Sequence, residues 1–228
     1  MQNNLNILLV QFSNPIYRDE IPAFRGAIVN ALQDKGADLF HNHKEEGLVY
    51  RYPLIQYKRI HQKAAIVCIG EGTEAIGQFF SACDFVVNIG DRPLELEVES
   101  IKPNKVLVQV WDSIFSYTIR KWLPFNKENY EQYTKLESLA EKYAMLERLL
   151  VGNILSFGKG VGIQFDKQVE CKITEASEPM SIMHKGVKLM GFDVAFKSNV
   201  SLPDYIGLGK GVSVGKGMVK RMVEKELL

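Results

Sequence analysis

Apolar and polar positions alternate in a readable order through the first half of the chain. Asn6 to Phe12 is a strongly apolar run that predicts a buried strand. Pro22 is suited to open a helix, in which Phe24, Ile28, Ala31 and Leu32 recur at helical spacing before Gly36 ends it. Leu48–Arg59 and Ala64–Ile69 predict two strands, and Pro53 pushes the first towards a sheet edge. Thr73 is placed to cap a second helix with Ile76, Phe79 and Phe80 on one side, and Asp84–Ile89 supplies a fourth strand. The order β-α-β-β-α-β is the ferredoxin-like pattern.

The second half is patterned less regularly. Leu94, Leu96 and Val98 alternate with Glu95, Glu97 and Glu99, as in a strand with one solvated acidic face. Such a face repels a nucleic-acid backbone and points away from any groove that holds one. Lys105–Trp111 predicts a further strand. A long helix is expected from Lys127 to Leu150, with Tyr133, Leu136, Leu139, Tyr143, Leu146 and Leu150 as its buried stripe and Glu131 one turn before Lys135. Glu170–Thr174, Ser181–Met183 and Lys188–Phe196 predict strands. The tetrapeptide Gly-Lys-Gly-Val occurs at 158–161 and again at 209–212, which suggests a duplicated fold. The expectation is an α+β chain of two tandem domains, residues 1–100 and 101–228, each an antiparallel sheet with helices on one face.

Composition narrows the setting. Of 228 residues, 46% are hydrophobic and 24% charged, which suits a globular protein with an ample core. The apolar runs are broken by charges, so no transmembrane helix and no membrane partner are expected. The opening Met-Gln-Asn-Asn-Leu-Asn lacks the basic and apolar regions of a signal peptide. Cys68, Cys83 and Cys171 are odd in number and sit in apolar contexts, as reduced core residues of a cytoplasmic protein do. A net charge of +1 means that any nucleic-acid surface must be local.

Five glycines and two lysines crowd the run Gly207-Leu-Gly-Lys-Gly-Val-Ser-Val-Gly-Lys-Gly217. Glycine permits positive φ and close backbone approach, successive N–H groups can form an anion-binding turn, and Lys210 and Lys216 add charge. A nucleotide P-loop needs four residues between its glycines and then Lys followed by Ser or Thr. Here Gly211 and Gly215 are separated by three, and Lys216 precedes Gly217. A dinucleotide fingerprint would require glycine where Val212 or Val214 stands. A polymer backbone or a structural turn is left.

His41-Asn42-His43 follows the first helix. Two histidines at i and i+2 project to one side of an extended segment, and imidazoles can serve as a base and an acid near neutrality. A zinc site recruits four ligands, and no cysteine is near in sequence, so neither metal nor cofactor is expected. His61 and His184 are taken as ordinary structural or surface histidines.

These features together resemble the RAMP-superfamily endoribonucleases that process precursor CRISPR RNA, the sixth Cas family in its b-type branch. The paired His41 and His43 match that branch in place and spacing. Gly207-Leu208-Gly209 and Gly215-Lys216-Gly217 fit its loop, with Lys216 where the family has a second hydrophobic residue. The resemblance implies metal-independent cleavage of CRISPR repeat RNA. The substrate's own 2′-OH attacks the adjacent phosphorus, leaving a 2′,3′-cyclic phosphate and a 5′-OH. His41 and His43 would be base and acid in an unassigned order, with Lys58 or Arg51 as the cation. RNA contacts are expected from Arg51, Lys159, Gly207, Gly209, Lys210, Gly211, Gly215, Lys216, Gly217, Lys220 and Arg221. The resemblance also allows a homodimer and association with other CRISPR effector subunits. A second reading keeps the RNA surface and makes the histidines bystanders, giving an RNA-binding protein without cleavage.

Overall fold

The computed structural model describes residues 3–32, 52–82 and 85–222. The chain forms two compact units. Among the described residues, one holds Asn4–Val106 together with Ser213–Gly215, and the other holds Asn3, Leu107–Val212 and Lys216–Met222.

The N-terminal unit contains β1 (Asn4–Pro15), α1 (Ile21–Ala31), β2 (Ile55–Ile60), β3 (Lys63–Ile69), α2 (Gly72–Ala82), β4 (Val86–Ile89), β5 (Arg92–Glu95) and β6 (Val98–Leu107, to the unit boundary). Its four-stranded sheet runs β2-β3-β1-β6, while β4 and β5 pair only with each other. This is the expected β-α-β-β-α-β order, with β6 rather than β4 completing the sheet. The register sorts the faces. Val10 and Tyr57 flank Ile66 on one face, and Gln11 and Lys58 flank Ala65 on the other. The first face meets Phe24 and Ile28 of α1 and Ile76 and Phe79 of α2 in one apolar core. Phe24 sits edge-on to both Phe12 and Tyr57. Each such buried aromatic contributes about 1.5–3 kcal/mol relative to leaving it in water.

Several local expectations are corrected here. The strand after Pro53 starts only at Ile55, because a proline supplies no ladder donor. His61 and Gln62, both at positive φ, make the tight turn from β2 to β3. Thr73 does not cap α2; its hydroxyl donates to the Gly70 carbonyl at 2.7 Å from inside a helix that starts at Gly72. The acidic alternation is split into β5 and β6 around buried Leu96, with Glu95, Glu97 and Glu99 exposed.

The C-terminal unit contains β7 (Val110–Trp122), α3 (Lys127–Lys135), α4 (Leu139–Gly160), β8 (Cys171–Ala176), β9 (Met180–His184), β10 (Val187–Val200) and β11 (Met218–Arg221). Its sheet runs β11-β7-β10-β8, with β9 on the first part of β10. Counting β8, β10, β7 and β11 as second, third, first and last strands gives the order of the N-terminal sheet again. The fold is therefore two ferredoxin-like units in tandem. The single long helix is in fact two, because Leu136 and Ser138 adopt extended backbone between α3 and α4. The buried stripe of α4 is Met145, Leu146, Leu150, Ile154 and Phe157, and Leu139 is exposed. The predicted Lys105–Trp111 strand is also two. Chain pairing breaks at Val108, whose N–H turns to Asn3. The two Gly-Lys-Gly-Val copies occupy unlike places, the end of α4 and the β10–β11 connection, so they do not mark equivalent positions.

Candidate nucleic-acid interface

The segment from Ser201 to Gly217 links β10 to β11 without a helix. Its start is pinned by buried polar groups. The Tyr117 hydroxyl donates to the Val200 carbonyl at 3.0 Å and accepts from the Leu202 N–H at 2.9 Å. Ser201 Oγ donates to the Leu107 carbonyl at 2.6 Å and accepts from Trp111 Nε1 at 2.8 Å. Burial raises the Tyr117 pKa above its usual value, which keeps this donor protonated.

Beyond that anchor, the glycines answer to protein packing. Gly209, at φ +84°, lies on Trp122: a Cβ would come within 2.9 Å of its indole and of the Leu123 carbonyl. Trp122 is itself fully buried and donates from Nε1 to Asn153 of α4 at 2.8 Å. Gly217, at φ +61°, leaves no room at all, since a Cβ would sit 1.9 Å from the Leu208 carbonyl oxygen. Gly207 and Gly211 are crowded by Val212 and by Lys216 with His184, and Gly215 by Ile21.

The backbone donors are spent in the same way. The N–H groups of Leu208, Lys210, Lys216 and Gly217 donate to Gly217, Leu123, Gly211 and Lys121 carbonyls respectively. Those four cannot cradle a phosphate. The turn is anchored to the protein through these bonds, and it presents the side chains of Lys210 and Lys216.

Lys210 is exposed and Lys216 half-buried. The His184 imidazole packs against Gly211, at the end of β9. Burial, and then the charges of Lys185, Lys216 and Lys210, push His184 below the ordinary histidine value. Lys216 is lowered by burial and by Lys121. Four lysines and a histidine thus converge on one turn, and their mutual repulsion is what an anion would relieve. The sequence reads His184 as an ordinary histidine and does not single out Lys121 or Lys185. They come from β7 and the β9–β10 turn, and no linear spacing connects them to the glycine run.

The remaining predicted residues are spread over the molecule. Lys220 and Arg221 end β11; the Arg221 guanidinium lies 4.7 Å from the Phe115 ring centroid, and the Arg221 backbone N–H donates to Asp204 Oδ1 at 2.6 Å. Lys159 is exposed in the last turn of α4. Residues 213–215 of the glycine run group with the N-terminal unit, where Ser213 accepts from the Tyr57 N–H at 2.9 Å on the outer edge of β2. Next to Tyr57 stands Lys58, fully buried on the far face of that sheet, its amine lowered to about 7 by burial. His41, His43 and Arg51 lie outside the described residues.

Known proteins agree with this architecture. The family model for the Cas6b N-terminal domain matches residues 3–106, and that for the Cas6b C-terminal domain matches residues 109–222. A crystal structure of Cas6b superposes with a TM-score of 0.85 at 26% identity, covering 96% of this chain and 100% of that one. A crystal structure described as the CRISPR RNA processing endoribonuclease Cas6b gives 0.73 at 25% identity, with the same coverage. An uncharacterized protein of Methanocaldococcus jannaschii is 31% identical over 147 residues, 62% of this chain and 99% of that protein. The molecule is thus a Cas6-type protein of the RAMP superfamily, built from two ferredoxin-like units. Within that class, the chain belongs to the Cas6b family.

Proposed function

We propose that this chain is an endoribonuclease that cuts CRISPR repeat RNA without a metal ion. The observation that carries the reading is the similarity over 96% of the chain to the CRISPR RNA processing endoribonuclease. In the proposed reaction the 2′-OH at the cut site attacks the adjacent phosphorus. Its proton goes to one histidine of the His41/His43 pair, and the other protonates the departing 5′-oxygen. The products carry a 2′,3′-cyclic phosphate and a 5′-OH. Positioned proton transfer of this kind is worth roughly 10²–10⁴-fold.

Lys58 is the proposed cation, and its burial defines how it would act. With its pKa near 7, the amine is only partly charged in the free protein. An anionic phosphorane close enough to act on the buried amine would favour its protonated form. The C-terminal unit would hold the RNA backbone through Lys210 and Lys216 on the glycine turn, with Lys220 and Arg221 of β11 and Lys159 of α4.

Incubation with repeat-containing RNA tests the reading. Cleavage is expected to persist in EDTA, because the nucleophile is the RNA's own hydroxyl. Replacing that 2′-OH by hydrogen is expected to abolish cleavage and spare binding. Loss of activity in chelator, or cutting of the deoxy substrate, contradicts the mechanism. Tight binding with no cleavage of any repeat RNA would favour a binding-only protein.

A further inference from the structure

Beside Lys210 the C-terminal unit opens a cavity of about 400 Å³, at the small end of pockets that take an organic ligand. Its floor is apolar and rigid. Phe125, 7% exposed, is wedged against Tyr133 and Phe192. Tyr130 stands beside Phe125, ring centroids 6.2 Å apart, with 42% of its surface open. An aromatic ring held on one side and open on the other is a platform looking for a second flat partner.

The rim is basic. Lys127 comes from the first turn of α3, Lys188 from β10 and Lys210 from the glycine turn, and no described acidic residue lines the cavity. Lys63 pairs with Glu99, Lys167 with Asp112 and Lys172 with Glu147, whereas Lys127, Lys188 and Lys210 have no ion-pair partner among the described residues. Their placement is fixed locally. Asn126 caps α3 by accepting from the Asn129 N–H at 2.7 Å, which sets Lys127 and Tyr130 one turn apart on one side. The Lys210 N–H donates to the Leu123 carbonyl at 3.1 Å. Three separate segments therefore bring cations around one exposed aromatic ring.

A flat apolar surface ringed by unpaired cations fits an unpaired nucleotide better than a peptide or a neutral metabolite. A base stacks on the ring, and its phosphate lies among the ammonium groups. We propose that this cavity receives one single-stranded nucleotide of the RNA, its base on Tyr130 and its phosphate among Lys127, Lys188 and Lys210. The proposal rests on the reading of the chain as an RNA-cleaving protein and adds to it a base-stacking site outside the reaction centre. Stacking reads no Watson–Crick edge, so the site takes any base but requires it unpaired.

The test is equilibrium binding of two probes, a short oligouridylate and a ribose-phosphate chain of equal length without bases. Wild type is expected to prefer the oligouridylate. Tyr130→Ala should weaken its binding roughly ten-fold while leaving the abasic chain unaffected, and Tyr130→Phe should bind both like wild type. Lys127→Ala and Lys188→Ala should weaken both probes and lower the log–log salt slope by about 0.7 each. Equal wild-type affinity for the two probes, or no binding to either, overturns the proposal. So does a Tyr130→Ala protein that keeps full affinity, or one that loses both probes alike. Cleavage in the same samples is read separately. Absence of cleavage with the Tyr130 effect intact removes only the nuclease reading, and normal cleavage with an inert Tyr130 removes only this site.

Discussion

The two units run their strands in the same order and differ in the last connection. In the N-terminal unit α2 precedes the return strand; in the C-terminal unit residues 201–217 make the return with no helix. A helix satisfies its own backbone and needs only an apolar face, which α2 supplies with Ile76 and Phe79. The turn must satisfy its backbone one bond at a time, from Leu123, Lys121 and its own carbonyls. That is why it is rich in glycine: each donor reaches its acceptor only where the chain can come within contact of its neighbours. The exchange replaces an apolar face by an anchored ridge bearing Lys210 and Lys216.

Glycine substitutions break this comparison most sharply. Gly217→Ala places a methyl group on the Leu208 carbonyl at a positive φ, and overpacking and backbone strain together should cost about 3 kcal/mol or more. Gly77→Ala in α2 meets nothing within 4 Å on an exposed helical position and should stabilise by about 0.5–1 kcal/mol. Denaturant unfolding of both variants checks the contrast. Equal effects would mean that the glycine turn is not a packed structural element.

The lysines of the two units sharpen it further. Lys58 is buried with its pKa lowered to about 7 from 10.5, whereas Lys210 and Lys220 are exposed. The unfolded chain then holds a proton that the folded chain releases, so stability contributed by this site rises with pH between about 7 and 10.5. From pH 7 to pH 9 the gain should be about 2 kcal/mol. It should vanish in Lys58→Met when unfolding is measured across that range. An identical pH slope in the variant would show that the buried amine does not titrate there.

Much of this was legible in the sequence, for reasons that differ between the halves. The N-terminal order could be read because each element carries a full period of apolar residues, from Asn6–Phe12 to the Ile76, Phe79 and Phe80 face. The break between α3 and α4 was hidden because the apolar stripe continues across it, although Ser138 with Glu141 three residues on is a helix-start signature. β11 was too short to show a pattern, and its strand partner, β7, is remote in sequence. The glycine run was conspicuous, but its first duty is packing on Trp122 and Leu208, contacts that are remote in sequence or invisible without the turn. The cluster of Lys121, His184 and Lys185 around it is assembled entirely by tertiary structure.

The central claim is a division of labour, with chemistry in the N-terminal unit and RNA retention in the C-terminal unit. It is tested most directly by measuring single-turnover cleavage and binding of one repeat RNA in two variants. His43→Ala should lose cleavage by at least about 10²-fold and bind as wild type, with His61→Ala as a silent control. Lys210→Ala/Lys216→Ala should bind more weakly, with a salt slope smaller by about 1.4, and cut at the wild-type rate once RNA is saturating. If His43→Ala cuts normally, or the lysine pair slows cleavage at saturation without changing affinity, the division is contradicted.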